Sequence, residues 1–158
     1  MSAVPETTFR VVTSPEDLQR AYCVRSIVFI GEQACPFEEE FDGLDAESIH
    51  ILGEAGGEPI AVARLRKIAD WMKLERIAVV KAARGSGLGH QLVEFMLEEA
   101  RRRGFHKFKM HAQVHLEAFY AQHGFAPMGA MFREAGIDHY LMVREDGADI
   151  ARAPASAS

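Results

Sequence analysis

The stretch "RIAVVKAARGSGLGHQLVEFMLEEARRRG", residues 76–104, limits what this chain can become more than any other. An apolar run ends, and Gly85, Gly87 and Gly89 follow at alternate positions. An amphipathic segment then begins near 87–103, with Leu88, Leu92, Phe95, Met96 and Ala100 on one helical stripe. Glycine lowers stability, so three in one strand-to-helix turn indicate that something approaches the backbone closely there.

The flanking segments set the fold class. "FRVV" (9–12) reads as a strand. "SPEDLQRAYCVRSIVF" (14–29) reads as a helix opened by Ser14 as cap and Pro15 in the first turn, with Leu18, Tyr22, Arg25 and Phe29 on one face. Residues 30–45 form an acidic loop. Strands near 48–54 and 59–68 make a hairpin around Gly56-Gly57, and 71–80 is a third long strand. Strand 107–113, a helix at 115–124 and a closing hairpin complete an α/β or α+β pattern with a mixed sheet.

Three phosphate-binding patterns compete for the glycine turn. A P-loop needs Gly-Lys-Ser or Gly-Lys-Thr, and the chain has no Lys-Ser or Lys-Thr pair. A dinucleotide fingerprint counted from Gly85 ends on His90 instead of glycine, and the next strand closes on His111-Ala112-Gln113 without the required acid. The pattern Arg-x-x-Gly-x-Gly is met by Arg84, Gly87 and Gly89. Backbone N–H groups at such a turn converge on a pyrophosphate, and Arg84 adds charge.

That pattern resembles the acetyl-CoA-binding motif of the GNAT superfamily of N-acetyltransferases. "LERIAVV" with "ARGSGLG" is similar to the family's central strand and pyrophosphate loop, and "AQVHLEAFYAQHGF" to its next strand and helix, with Tyr120, Gly124 and Phe125 in the signature. "VRSIVFIGEQACPFEEEFDGLD" and "EAGIDHYLM" extend the resemblance to the YjcF- and ElaA-like branch over most of residues 20–145. The resemblance implies a mixed central sheet of six or seven strands, helices on both faces, and two splayed parallel strands, 73–80 and 107–113. It implies one domain over 1–146. The tail 147–158, small and polar, is expected to be disordered.

Acetyl-CoA is the implied cosubstrate and a primary amine, small molecule or peptide, the implied acceptor, attacked directly at the thioester. Cofactor contacts are expected from Ile77, Ala78 and Val79, with the Val79 backbone as the preferred partner. Arg84, Gly85, Ser86, Gly87, Leu88, Gly89, Gln113, Phe119 and Tyr120 complete that set. Tyr120 is the implied acid for the leaving thiolate.

Glu75 is the candidate base. It shares a face with Ile77 and Val79 if no bulge intervenes, and partial burial is expected to raise its pKa; the competing reading is an ion pair with Arg64 or Arg66. His111 and His139 are candidate substrate contacts or alternate bases, and a water chain remains a third source of the base. In the acidic segment, Glu38, Glu39, Glu40, Asp42 and Asp45 are expected to attract a cationic amine, with Glu39 and Asp42 preferred. No metal is expected: His111 and His115 straddle a strand-to-helix junction. Cys35 offers a covalent alternative without a base paired to it in sequence.

The residues leave a second class open, a CoA-binding sensor or interaction module without transfer. A net charge of −5 argues against a nucleic-acid partner, and no run of 18 apolar residues or signal-peptide pattern appears. Two cysteines, Cys23 and Cys35, read as reduced thiols in a cytoplasmic protein. Dimerisation is common in this fold, and no sequence feature identifies an interface.

Overall fold

Seven strands form one sheet in the computed structural model, which describes residues 5–147. They are β1 (Thr7–Val11), β2 (Ile49–Ala55), β3 (Glu58–Ile68), β4 (Trp71–Val79), β5 (Lys107–Gln113), β6 (Ala126–Glu134) and β7 (Ile137–Glu145). Their order is β1-β2-β3-β4-β5-β7-β6, and β4 with β5 is the parallel pair. Gly56 and Gly57, both at positive φ, close the β2–β3 hairpin in two residues, as their sequence position predicts. The expected tail lies, from residue 148 on, outside the described residues.

A parallel pair needs a crossover, and α3 (Leu88–Arg102) supplies it. Its stripe of Leu92, Val93, Met96, Leu97 and Ala100 packs on Leu65, Met72, Leu74, Phe108 and Met110. The opposite face carries α1 (Pro15–Arg25), whose Ala21 and Val24, with Val28 beyond it, pack on Leu52, Val62 and Ala78. Ser14 caps α1 by accepting from the Asp17 N–H at 3.1 Å. The helix then runs on as a π-helical turn over Ser26–Glu32. Two short helices follow where the sequence reads as loop and helix: α2 (Phe37–Glu40) and α4 (Glu117–Ala121).

Met72 and Leu74 pack with α3, whereas Ala78 packs with α1. In an unbroken strand all three would share a face. The register explains the change: Glu75 pairs with Arg64 and Ala78 with Val62, so Arg76 and Ile77 together oppose Ala63. This is a β-bulge, with Arg76 at φ +56°. Beyond it Ile77 and Val79 turn to the α3 face, while Glu75 stays with Lys73 on the α1 face. The expectation that Glu75 shares a face with Ile77 and Val79 is therefore corrected, and the bulge is the reason.

Leu92 is fully buried between α3 and the sheet. Leu92→Ala is expected to lower unfolding stability by about 3 kcal/mol, from lost transfer energy plus the cavity left behind. Urea unfolding checks this, with the slope unchanged and the midpoint shifted.

Candidate active site

β4 and β5 pair only from Trp71–Lys107 to Leu74–Met110. Past that point β4 keeps its partners on β3, and His111–Gln113 keep theirs on β7. The facing edges of the two strands then have no strand between them. A cleft of about 770 Å³ opens there, with Ile77, Val79, Met110, Gln113 and Tyr120 in its walls. Inward-facing backbone groups at such a gap call for a ligand.

The glycine turn lies at the lip of this cleft, and only Arg84 of Arg84–Gly89 lines it. Gly85 and Gly87 sit at φ +88° and +84°, so their side-chain-free backbone is a conformational requirement, and Gly87 caps α3. Gly89 is glycine for a different reason: a Cβ there would stand 3.2 Å from Phe119 Cζ. Phe119 thus packs behind the turn, stacked on His90 at 4.3 Å, and is not among the cleft-lining residues. Arg84 Nε donates to the Val79 carbonyl at 2.8 Å, so that carbonyl already has a partner, contrary to expectation. Its other end pairs with Glu32 at 2.8 Å.

Tyr120 is 6 % exposed and reaches the cleft. Burial raises its phenol well above the usual value, with no offsetting charge, so it stays protonated. Gln113 Nε2 donates to Gln33 Oε1 at 3.1 Å, tying the end of β5 to the π-helical turn.

The α1 face of the gap holds a dense charge network. Arg25 and Arg64 are both fully buried. Arg25 contacts Glu40 and Asp45, each at 2.7 Å; Arg64 contacts Asp42 and Asp45 at 2.9 Å and Glu75 at 2.8 Å. Arg76 reaches Glu40 Oε1 at 3.1 Å and Asp42 at 3.3 Å. Three acids of the 38–45 segment are consequently held by arginines. The expectation that Asp42 attracts an amine is displaced by this pairing. Glu39, whose backbone carbonyl accepts from Arg76, still lines the cleft with its side chain.

Glu75 is contacted by Arg64, by Arg66 at 3.0 Å and by Lys73 at 2.9 Å. Burial pushes its carboxyl up, but Arg66, Arg64 and Lys73 outweigh burial and hold it down at about 2. The raised pKa expected of a base is thus reversed, and the ion-pair reading of Glu75 is the one the geometry supports.

Across the gap, His111 Nδ1 lies 3.1 Å from Glu134 Oε1. His139 Nδ1 donates to the Ile137 carbonyl at 2.7 Å, which leaves Nε2 facing Glu134 at 4.0 Å. Sequence reasoning missed Glu134, which the bulged β6–β7 hairpin carries back over β5. Cys35 also lines the cleft, and burial with Glu40 and Glu39 pushes its thiol up, away from the thiolate a covalent step needs.

Glu75→Gln removes one of the three carboxylates that fully buried Arg64 contacts and the one that Arg66 and Lys73 contact, and should lower stability by about 2–3 kcal/mol. A base role would instead cost activity at unchanged stability, so urea unfolding beside turnover separates the two. Glu75 and Asp42 are both held below their usual values of 4.5 and 3.8. Depressed carboxylates stabilise above those values and lose that contribution as pH falls through the folded pKa. Urea midpoints are therefore expected to hold from pH 7 to 5 and fall below about pH 4.5. Glu40, raised by burial against Arg76 and Arg25, runs the other way and softens the loss.

Residues 28–145 match the acetyltransferase (GNAT) domain family. The chain is 35 % identical over 136 residues to the Bacillus subtilis N-acetyltransferase YjcF, covering 85 % of this chain and 97 % of that one. The crystal structure of Escherichia coli ElaA superposes with a TM-score of 0.81 at 31 % identity, covering 89 % of this chain and all of ElaA. A Bacillus subtilis acetyltransferase solved in complex with CoA shares the fold at TM-score 0.69 and 18 % identity, over 90 % of this chain and 100 % of that one. By its family match, these relatives and its split β4–β5 pair, the chain belongs to the GNAT acetyltransferase family, in its YjcF- and ElaA-like branch.

Proposed function

We propose that the protein transfers the acetyl group of acetyl-CoA to a primary amine by direct attack. The observation that carries this reading is the parting of β4 and β5 after Leu74 and Met110, which opens a cleft between the Arg84 turn and Tyr120. The solved relative that holds CoA supports the same choice of cosubstrate.

The residues present fit such a group. Gly85 and Gly87 leave open space at the start of α3, with nothing within 4 Å of a built Cβ, so backbone N–H groups and the helix N-terminus are accessible to a pyrophosphate. Ile77 and Val79 present an apolar edge along one wall, and Gln113 a polar one opposite. Acetyl-CoA supplies an activated acyl group when bound.

Tyr120 serves as the acid. Burial keeps its phenol protonated, so an O–H is in place to hydrogen-bond the thiolate and pass it a proton as the C–S bond breaks. The acceptor must arrive neutral, and His111 is the group placed to relieve it of a proton. Glu134 fixes the His111 ring through Nδ1 and leaves Nε2 for the amine, directly or through water. Glu75 sits out of this step because a carboxyl held at about 2 is a weak proton acceptor.

Thermal unfolding tests the cosubstrate. Acetyl-CoA or CoA at about 100 times its dissociation constant should add roughly 2.7 kcal/mol and raise the melting temperature by several degrees. NADH should leave it in place. No shift with either CoA species would sink the reading. Tyr120→Phe is then expected to lower kcat roughly 10²-fold with acetyl-CoA binding retained, the scale of one lost proton donor.

A further inference from the structure

The network on the α1 face does not balance. Arg25, Arg64, Arg66, Lys73 and Arg76 are five cations, and the carboxylates they contact are four: Glu40, Asp42, Asp45 and Glu75. The surplus has a definite place. Among the described residues, Glu75 is the one carboxylate that Arg66 and Lys73 contact, and both must share it with buried Arg64. Arg66 uses Nε and Nη2 on Glu75, which leaves Nη1 without a partner among the described residues.

Arg66 and Lys73 pair directly across β3 and β4, so their side chains are neighbours on one face. Both line the cleft, whereas Arg25 and Arg64 do not. The opposite wall carries a carboxylate: Glu134, with His111 and His139, also lines the cleft. Lys73 contributes to lowering the Glu134 carboxyl, yet no ion pair within 4.0 Å joins them. Cations thus outnumber their ion-paired carboxylates by one on this wall, where Glu39 also lines the cleft, and the other wall offers a carboxylate beside two imidazoles.

We propose that the acceptor amine itself carries a carboxylate, received by Arg66 and Lys73, while its amino group lies toward His111 and Glu134. The acceptor class is a small amino acid or amino-carboxylate. This deepens the acetyl-transfer reading and rests on it. A plain amine would leave the part-buried surplus cation uncompensated, and a polyamine would add the charge of its further ammonium groups beside it. A phosphate carries about −1.5 to −2 and would oversupply a surplus of one, so a carboxylate is the better match.

Matched pairs differing only in the carboxylate test this: lysine against cadaverine, alanine against ethylamine, phenylalanine against phenethylamine. CoA thiol release from acetyl-CoA is the readout. The carboxylate member of at least one pair is expected to have a roughly tenfold or greater advantage in kcat/KM, on the scale of one charge-assisted contact. Arg66→Gln and Lys73→Gln should each remove most of that advantage, chiefly through KM, and Lys73→Arg should retain it. Equal or better use of the carboxylate-free members overturns the proposal. So does acetylation of no carboxylate-bearing member, or an equal loss for both members of a pair in the variants. Acetyl-CoA melting shifts, measured on the same preparations, keep the two levels apart: a shift with the wrong preference sinks the acceptor class alone, and no shift sinks the transfer reading beneath it.

Discussion

Arg76 donates to the Glu39 and Glu40 carbonyls from a backbone held at φ +56°, a conformation that disfavours any residue with a Cβ. Those bonds, together with its ion pairs to Glu40 and Asp42, hold the extra β4 residue in place from outside the sheet. The bulge they secure has two consequences. It sends Ile77 and Val79 to the α3 face and leaves Glu75 on the other. It also bends the end of β4 as its pairing with β5 stops at Leu74. The cleft and the ion network are thus two results of one local irregularity.

The network is dear in desolvation, because Arg25 and Arg64 are wholly removed from water. Buried ion pairs of this kind seldom add net stability over a packed apolar core. What they supply here is position. The segment from Glu38 to Asp45 has its aromatic anchorage in Phe41, packed edge-on to Tyr22 at 5.3 Å, while neighbouring Phe37 stands exposed. Beside that contact, Glu40, Asp42 and Asp45 fasten it to β3, α1 and the bulge through directional guanidinium bonds. Phe41, stacked under the Arg25 guanidinium at 4.7 Å, adds a cation–π contact. This wall of the cleft is therefore tied down by ion pairs where composition alone suggests a solvated acidic loop.

Much of this fold was legible because its signals are local. The α3 stripe, the Gly56-Gly57 turn and the Arg84–Gly89 pattern each occupy one short window, and the structure places each where the spacing predicts. The errors arise where a residue's role depends on its neighbour across the sheet. Nothing in residues 71–80 announces the bulge, since Arg76 is an ordinary choice for an exposed strand position. Without the bulge, Glu75 reads as a carboxylate beside the cofactor; with it, Glu75 is the shared anion of three cations. Gly89 illustrates the same limit, because its reason is Phe119, thirty residues away in sequence and in contact in space. Glu134 was invisible for the same cause: the β6–β7 register alone brings it to His111.

The sheet separates two chemistries. Its α3 face meets the gap with Ile77, Val79, Met110 and Tyr120, apolar except for one phenol that burial keeps protonated. Its α1 face meets the same gap with most of the charged and ionisable groups: Arg66, Lys73 and Glu75 on one side, His111 and Glu134 on the other. An apolar channel ending at a proton donor suits the leaving side of an acyl transfer, where a thiolate must be quenched without water. A charged wall suits the entering side, where a polar acceptor is oriented and deprotonated. Because β4 and β5 are parallel and part at a single point, the two sides communicate there, between Leu74 and Met110. In the proposed reaction that geometry would let an acceptor reach the acyl carbon without crossing the apolar wall, and would tie the direction of attack to the register of two strands.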